Sequence, residues 1–354
     1  MKRLAPTVLF VSLLVRRSYT ALLIIRALYH VPFLRPLRRP IEMLFDPNSI
    51  RRHSRLAIPT RYVPVRGKLG EQLRVNLGDH IGWNIFLNGY FDLVPSLVAL
   101  VLHRASSGSL YLDIGANIGD TSIAVANRGV STVGIDASAM AISELCHNIA
   151  LNSPIPYTVV HAAVASTTNQ RNGDIDSDYI KLHIPMGNTG AASVHEGWIS
   201  SSTRTSAMLA SPRSVTDIVD SLSIKSVCCI KLDVEGAEHD AIVGMKSILQ
   251  RFHCPIVFEY RVDHLKQIGM DNIGIVDLLP EGYQCFAIQC DQVQDASAKL
   301  RISEFDRNRS YENVIAVYRG LPAELKAASD RSGLDVPFDS KLDRPVAAPQ
   351  TTAA

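Results

Sequence analysis

The sequence predicts a doubly wound α/β sheet with helices on both faces. Three observations carry this: strands and helices alternate from about residue 109 to 319, a glycine-rich turn at 113–120 joins a strand directly to a helix, and an acid, Asp136, closes the next strand. Such alternation builds a mostly parallel sheet whose ligands bind at the carboxyl ends of the strands. The chain has 354 residues, 47% hydrophobic and 20% charged, with a mean hydropathy of +0.10. That composition excludes disordered and collagen-like chains and suffices for one large or two ordinary domains.

The amino-terminal part differs in charge from the rest. Residues 1–70 hold 14 Lys/Arg and 2 Asp/Glu, a balance of +12, whereas residues 71–354 hold 22 and 32, a balance of −10. A basic head on an acidic body bears on partners rather than on fold. The first 40 residues contain eight bases and no acid, and their longest uncharged run, 4–15, is 12 residues. That is short of the ~20 needed to span a bilayer, and no small-residue cleavage site follows closely enough for a secretory signal. The segment 1–40 therefore reads as a helix on an anionic membrane surface with snorkelling arginines, or as an organelle-targeting peptide; a helix packed on the protein's own domain is the bland alternative. Residues 41–107, with prolines at 47, 59, 64 and 95, read as a lead-in subdomain of short strands and turns ending in a helix near 92–104.

From 108 to 320 the elements follow in order. Residues 110–114 form a short apolar strand ending in glycines, 120–127 a helix that Gly129 is placed to stop, 131–136 a strand, 139–151 a helix and 157–164 a third strand. The polar stretch 166–213 reads as an insert with a hairpin around 180–185. Alternation resumes with a strand at 227–233, a helix at 236–251 that sets Ile242, Met245, Ile248 and Leu249 on one side, a strand at 255–260, a helix at 273–279 and strands at 283–289 and 314–318. The tail 321–354 has no apolar periodicity and reads as disordered. Six cysteines without CxxC spacing or paired histidines argue for reduced thiols, against a disulfide scaffold and against zinc.

Three acidic stretches sit at strand ends. In Asp113-Ile-Gly115-Ala-Asn117-Ile-Gly119, glycines bring the backbone close to a ligand and the helix start offers free N–H groups. An acid two residues before the first glycine suits a cationic ligand with an amino group better than a pyrophosphate. Asp136, 23 residues after Asp113, is placed to accept from a ribose diol. Asp233, Glu235 and Glu238 crowd the next strand-to-helix turn, and Glu259 ends the strand after it. Capping explains one or two such acids; the remainder are expensive unless they hold a cation, a hydroxyl or shared protons.

The segments DIGANIGDTS (113–122), KLDVEGAEHDAIVGM (231–245) and IVFEY (256–260) resemble the FkbM-type methyltransferases, class I S-adenosylmethionine-dependent enzymes that are often O-methyltransferases of sugars and polyketide-like metabolites. The resemblance runs over roughly 80–319, from NGYFD (88–92) to ENVIAVYR (312–319). It implies a Rossmann-like, seven-stranded, mostly parallel sheet of order 3-2-1-4-5-7-6 with the seventh strand antiparallel. It also implies S-adenosylmethionine as cofactor, its methionine part held by Asp113, Gly115, Asn117 and Gly119 and its ribose by Asp136. The backbone of 161–163, centred on Ala162, would approach the adenine, Tyr90 would close over the cofactor, and Asp233 and Glu235 would line the methyl-transfer site. One departure stands out: the family has Glu-Pro after the second strand, where this chain has Asp136-Ala137-Ser138, a shorter acid on a less rigid loop.

The implied reaction is methylation of a hydroxyl on a small-molecule, sugar or lipid-linked acceptor. In-line displacement asks the protein to align the reactants and, for an alcohol, to remove its proton. Asp233 or Glu235 is expected to orient or deprotonate the hydroxyl, with Glu259 in support and His239 and His195 as alternative bases. Mg²⁺ on Asp233, Glu235 and Glu259 is chemically conceivable, but the expectation is no metal. The rival enzyme class is a nicotinamide-dependent oxidoreductase; outside enzymes, the rival is a membrane-associated protein that keeps the fold without turnover. The head's aromatics are scattered in apolar context, so no nucleic-acid partner is expected. The expected location is cytoplasmic, peripheral on the membrane if the head binds it.

Overall fold

The computed structural model describes residues 15, 18–47, 60–106, 108–166, 179–185, 188–195, 205–262, 274–292 and 298–330. The chain divides into two units, one of residues 1–68, 72–91 and 340–354, the other of residues 69–71 and 92–339.

In the first unit Ser18 caps α1 (Tyr19–His30), its hydroxyl accepting from Ala21 N at 3.3 Å. The helix stops at Val31, which precedes a proline and is driven to extended backbone. A 3-10 turn (Pro32–Leu37) leads to α2 (Arg38–Phe45). The hairpin of β1 (Tyr62–Arg66) and β2 (Gln72–Asn76) buries alternate residues, Val63 and Val65 against Leu73 and Val75. It is followed by α3 (His80–Asn88), capped by Asp79 and closed by Gly89 at φ +81°; the sequence suggests short strands and turns there, with the first helix near 92–104. One face of α1 is buried on its own unit. Leu22 and Tyr29 are 1% and 5% exposed, the Tyr29 hydroxyl donates to Glu42, His30 Nε2 donates to Leu87 O at 2.7 Å, and the Arg26 guanidinium lies over the Phe86 ring. For residues 18–30 the bland expectation thus holds on one face, while residues 1–14 lie outside the described residues. No helix among the described residues is long and apolar enough to cross a membrane.

The second unit runs α4 (Val94–Ala105), β3 (Leu110–Ile114), α5 (Ile123–Ala126), β4 (Thr132–Asp136), α6 (Ala139–Asn152), β5 (Tyr157–His161), β6 (Ala163–Val164), β7 (Ile180–Pro185), β8 (Thr205–Ala210), β9 (Pro212–Arg213), α7 (Val215–Ser221), β10 (Val227–Leu232), α8 (Glu238–Phe252), β11 (Ile256–Tyr260), β12 (Tyr283–Gln292), β13 (Ala298–Glu304), β14 (Tyr311–Tyr318) and α9 (Ala323–Asp330). Its main sheet is mixed and has eight strands in the order β13-β12-β14-β11-β10-β3-β4-β5, not the seven expected. The run β11-β10-β3-β4-β5 is parallel, and β14, β12 and β13 join it antiparallel. The added edge strand is β13, whose residues Ala298 and Leu300 are buried at period two. All six residues of β10 are buried, as expected of a parallel strand covered on both faces. Leu112, Ile114, Val133, Ile135, Ile230 and Leu232 pack against Ile218 and Val219 of α7 and Ile242, Met245, Ile248 and Leu249 of α8; each such side chain contributes about 1.5–3 kcal/mol on burial.

Other expectations change in detail. The helix expected at 120–127 shrinks to α5, because residues up to Ser122 are spent in the glycine turn. The strand expected at 157–164 breaks after His161, and β6 pairs with β9 instead of the main sheet. The helix expected at 273–279 is a single 3-10 turn, Ile275–Leu278. Within the insert, β7 pairs antiparallel with β8. The tail is not wholly irregular: α9 buries Leu325 and Ala328, and residues 331–354 lie outside the described residues. No cysteine is in a disulfide.

Glu71 supplies a test of the packing. It is 1% exposed, its Oε2 has no hydrogen-bond partner, and burial, only partly offset by Arg128, pushes its carboxyl up to about 7. Between its ordinary pKa and that value the folded chain keeps a proton that the unfolded chain releases. The stability due to this group is full at acid pH and lost as pH rises through about 7. Glu71→Gln should therefore gain on the wild type between pH 5 and pH 8 by up to about 3 kcal/mol in urea denaturation. An equal difference at both pH values would refute the assignment.

Candidate active site

The first turn of the site follows β3. Gly115 and Gly119 have φ of +83° and +87°, and Asn117 has +47°. A Cβ on Gly115 would lie 1.7 Å from Asp233 O, and one on Gly119 2.7 Å from both Ile123 Cδ1 and Leu145 Cδ1. These glycines are needed because the turn is pressed against the end of β10 and against α5 and α6, which is closer packing than a ligand alone would demand. Gly115 N and Ala116 N both donate to Ile135 O, at 2.8 and 3.0 Å, and the Asn117 Oδ1 atom is buried with no partner.

Asp136, at the end of β4, fastens that turn from the other side. Its Oδ2 accepts from Asn117 N at 2.9 Å and its Oδ1 from Ser138 N at 2.7 Å. Burial raises its pKa, and these two bonds act in the opposite direction. Each oxygen keeps a further lone pair. Ser138 in turn accepts from Ala141 N and caps α6, so the loop that lacks the family's proline is tied by side-chain bonds. Ala162 is 1% exposed and its N–H is already given to Asp136 O at 3.0 Å, while His161 Nε2 reaches Ala137 O at 3.1 Å.

Lys231, absent from the sequence-derived candidates, stands at the centre. It is 6% exposed; its Nζ donates to Gly115 O at 2.6 Å and lies 3.3 Å from Asp113 Oδ1 and 3.5 Å from Asp233 Oδ2. Burial alone lowers its pKa, but Asp113, Asp233 and Asp120 raise it further, so the net shift is upward and the ammonium is held. Asp113 is wholly buried, and Thr121 Oγ1 donates to its Oδ2 at 3.0 Å. The carboxylate expected to meet a ligand's amino group thus has an internal cation. A single lysine inside the apolar run Val-Cys-Cys-Ile-Lys-Leu was the available signal, since an ammonium in a strand buried on both faces needs carboxylates around it. Asp120 completes the group, pushed up to about 7 by burial against the pull of Lys231.

The second turn follows β10. Glu235 and Gly236 take φ of +49° and +101°, and Glu238 folds back over the turn, its Oε1 accepting from Val234 N at 3.1 Å and its Oε2 from Gly236 N at 2.9 Å. Glu238 is 6% exposed and burial pushes it up to about 7. One of the three clustered acids therefore builds the turn. The Asp233 side chain stays 44% exposed, and Ser193 from the insert donates to Glu235 O at 2.6 Å. On the neighbouring strand Glu259 is held by Arg261 at 3.2 Å; burial first, then the charge of Asp233, pushes it up to about 7.

Asp92 and Asn313 also escaped the sequence reading, although both lie in the quoted NGYFD and ENVIAVYR segments. Asn313 Nδ2 and Val94 N each donate to Asp92 at 2.9 Å; burial raises the Asp92 pKa and the charge of Asp233 adds to it. Of the alternative bases, His239 Nδ1 sits 3.5 Å from Asp240, and His195 donates its backbone N–H to Ser193. Tyr90 belongs to the first unit, where Lys68 Nζ lies 5.7 Å from its ring centroid. Among the described residues no group of three His, Cys, Asp or Glu is arranged to hold a metal ion.

Fold and site define a doubly wound α/β domain with two acid-bearing turns at adjacent carboxyl strand ends. Residues 113–285 match the family model described as the Methyltransferase FkbM domain. No curated protein matches the chain. Among solved structures it is similar to the FkbM methyltransferase of Methylobacillus flagellatus KT, at 14% identity and a TM-score of 0.33 over 66% of this chain and 52% of that one. The chain thus spans about half the length of that protein. It is also similar to the O-methyltransferase TomG of tomaymycin synthesis from Streptomyces achromogenes, solved with SAM (11% identity, 64% of this chain and 79% of that one, TM-score 0.34). A third is the O-methyltransferase of Bacillus cereus, solved with SAH (10%, 64% and 82%, TM-score 0.33).

Proposed function

We propose that the protein transfers a methyl group from S-adenosylmethionine to a hydroxyl of a small-molecule acceptor, a sugar, a glycolipid or a secondary metabolite. The observation that supports this best is the first turn: Asn117 Oδ1 is a buried acceptor without a partner, beside an Asp136 carboxylate with lone pairs to spare. An amino group and a ribose diol supply the donors those two acceptors lack. In this reading Gly115, Asn117 and Gly119 hold the methionine part, Asp136 the ribose and the backbone around Ala162 the adenine. Asp113 acts through Lys231 on the shape of the turn. The cofactor, when bound, supplies a methyl group on a positively charged sulfur that is a good leaving group.

The chain's own part is to place and deprotonate the acceptor. Asp233, exposed on one side and held by Lys231 on the other, orients the hydroxyl and accepts its hydrogen bond. Glu259, with its carboxyl near 7, takes up the proton at neutral pH, where an acid of that strength is an effective general base. The ionised form is the active one, so kcat/KM should climb through pH 7 and level off above it, and Glu259→Gln should lose that limb.

The deciding experiment combines labelled S-adenosylmethionine with a fractionated extract, separating soluble-sugar, lipid-linked and macromolecular products. Asp233→Asn and Glu259→Gln should lower turnover at neutral pH by about 100-fold or more, with the thermal shift by S-adenosylhomocysteine retained. Wild-type turnover in both variants would overturn the roles given to these residues.

A further inference from the structure

We infer that α1 docks the protein onto an anionic lipid surface through the face it turns away from its own unit. This rests on the first unit alone and is independent of the proposed reaction. The helix sequence Tyr-Thr-Ala-Leu-Leu-Ile-Ile-Arg-Ala-Leu-Tyr-His contains a single full charge, Arg26, and that guanidinium is laid over the Phe86 ring, 5.2 Å from its centroid. A helix that is apolar all round is either buried all round or meets lipid. Here only one side is buried, by Leu22 and Tyr29. On the other side Ile24 is 55% exposed and Leu28 43%, four residues apart and therefore neighbours on the helix surface. Tyr19 at 37% and Leu37 at 48% extend the apolar area, so four of the twelve exposed large apolar side chains among the described residues fall between 19 and 37. Scattered exposed leucines are ordinary, but a concentration of this kind marks a contact surface.

Charge selects the occupant. The first acid of the chain is Glu42, and eight lysines and arginines precede it, among them Arg16 and Arg17 before the helix and Arg35 and Arg39 after it, while Arg38 is folded back onto Tyr29. An apolar stripe flanked by bases without acids matches the interface of an anionic bilayer, whose headgroups attract the bases while the apolar side chains enter the acyl boundary. A second copy of the chain would cover the same stripe only by bringing two such basic segments together, which their repulsion opposes. Twelve residues of helix reach about 18 Å, well short of the ~30 Å hydrocarbon core, so α1 lies in the surface plane.

The test is co-sedimentation of the full chain with vesicles of phosphatidylcholine, with and without phosphatidylglycerol, alongside an Ile24→Glu/Leu28→Glu variant. Both side chains are exposed, so the variant should keep the wild-type melting temperature, which is measured in parallel. The wild type should bind the phosphatidylglycerol vesicles about tenfold or more tightly than neutral ones, and the variant should lose about tenfold or more of that affinity. The inference is overturned if the wild type does not sediment with the anionic vesicles. It is also overturned if the variant binds them as well as the wild type does. Sedimentation equilibrium provides a third outcome against it: a wild-type dimer that the two substitutions dissolve would show a second copy to be the occupant.

Discussion

Lys231→Met is expected to cost about 3–5 kcal/mol of stability in urea denaturation. Asp113 has no exposure to water, and Lys231 is the cation in contact with it at 3.3 Å. Methionine fills much of the lysine volume but leaves that carboxylate charged and uncompensated, and it strips Gly115 O of its 2.6 Å donor. The loss should therefore come from the orphaned partner more than from the missing contact. A Lys231→Met/Asp113→Asn double variant tests this, because removing both charges should restore most of the stability lost by the single variant. If the double variant is as unstable as the sum of the two singles, the pair is not the coupled unit described here.

Gly115→Ala is the second large effect, and Gly129→Ala is its control. Both glycines have left-handed backbone, φ +83° and +81°, so alanine pays the same conformational cost of about 1 kcal/mol at each. They differ in their surroundings. A Cβ at 115 would fall 1.7 Å from the carbonyl oxygen of Asp233, whereas one at 129 meets nothing within 4 Å. The first substitution must push β3's turn away from the end of β10, and should cost a further ~2 kcal/mol or more together with affinity for S-adenosylhomocysteine. The second should leave ligand binding intact. Equal losses at the two sites would show that the turn tolerates separation from Asp233.

The contrast also shows which parts of the molecule the sequence discloses. The turns at 115–119 and 235–236 were visible because glycines and clustered acids beside strands have few other uses. The strand-helix alternation was visible because parallel strands and amphipathic helices differ in apolar period. Lys231 was not, since its meaning depends on which strands flank β10, and pairing of 110–114 with 227–232 is a long-range fact. Without that neighbour Asp113 looked open to a ligand; with it, the carboxylate is matched inside the fold. Glu238 was miscounted for a related reason. Whether an acid four residues after Val234 points outward or folds back to accept Val234 N and Gly236 N is decided by the left-handed turn, which composition does not encode. Strand β13 was missed because Ala298-Lys-Leu300-Arg-Ile302 alternates too briefly to stand out, and α9 because two buried residues, Leu325 and Ala328, are too few for a period.

Central to the account is that the two acid-bearing turns hold an adenosyl sulfonium cofactor rather than a nicotinamide dinucleotide. Calorimetric titration of the full chain with S-adenosylhomocysteine and, separately, with NAD tests it most directly, repeated on Asn117→Ala and Asp136→Ala. One S-adenosylhomocysteine should bind per chain, with a stabilisation of about 2.7 kcal/mol at a hundredfold excess over Kd, markedly weaker binding in both variants, and no heat with NAD. Saturable binding of NAD without binding of S-adenosylhomocysteine, or unchanged affinity in both variants, would contradict it.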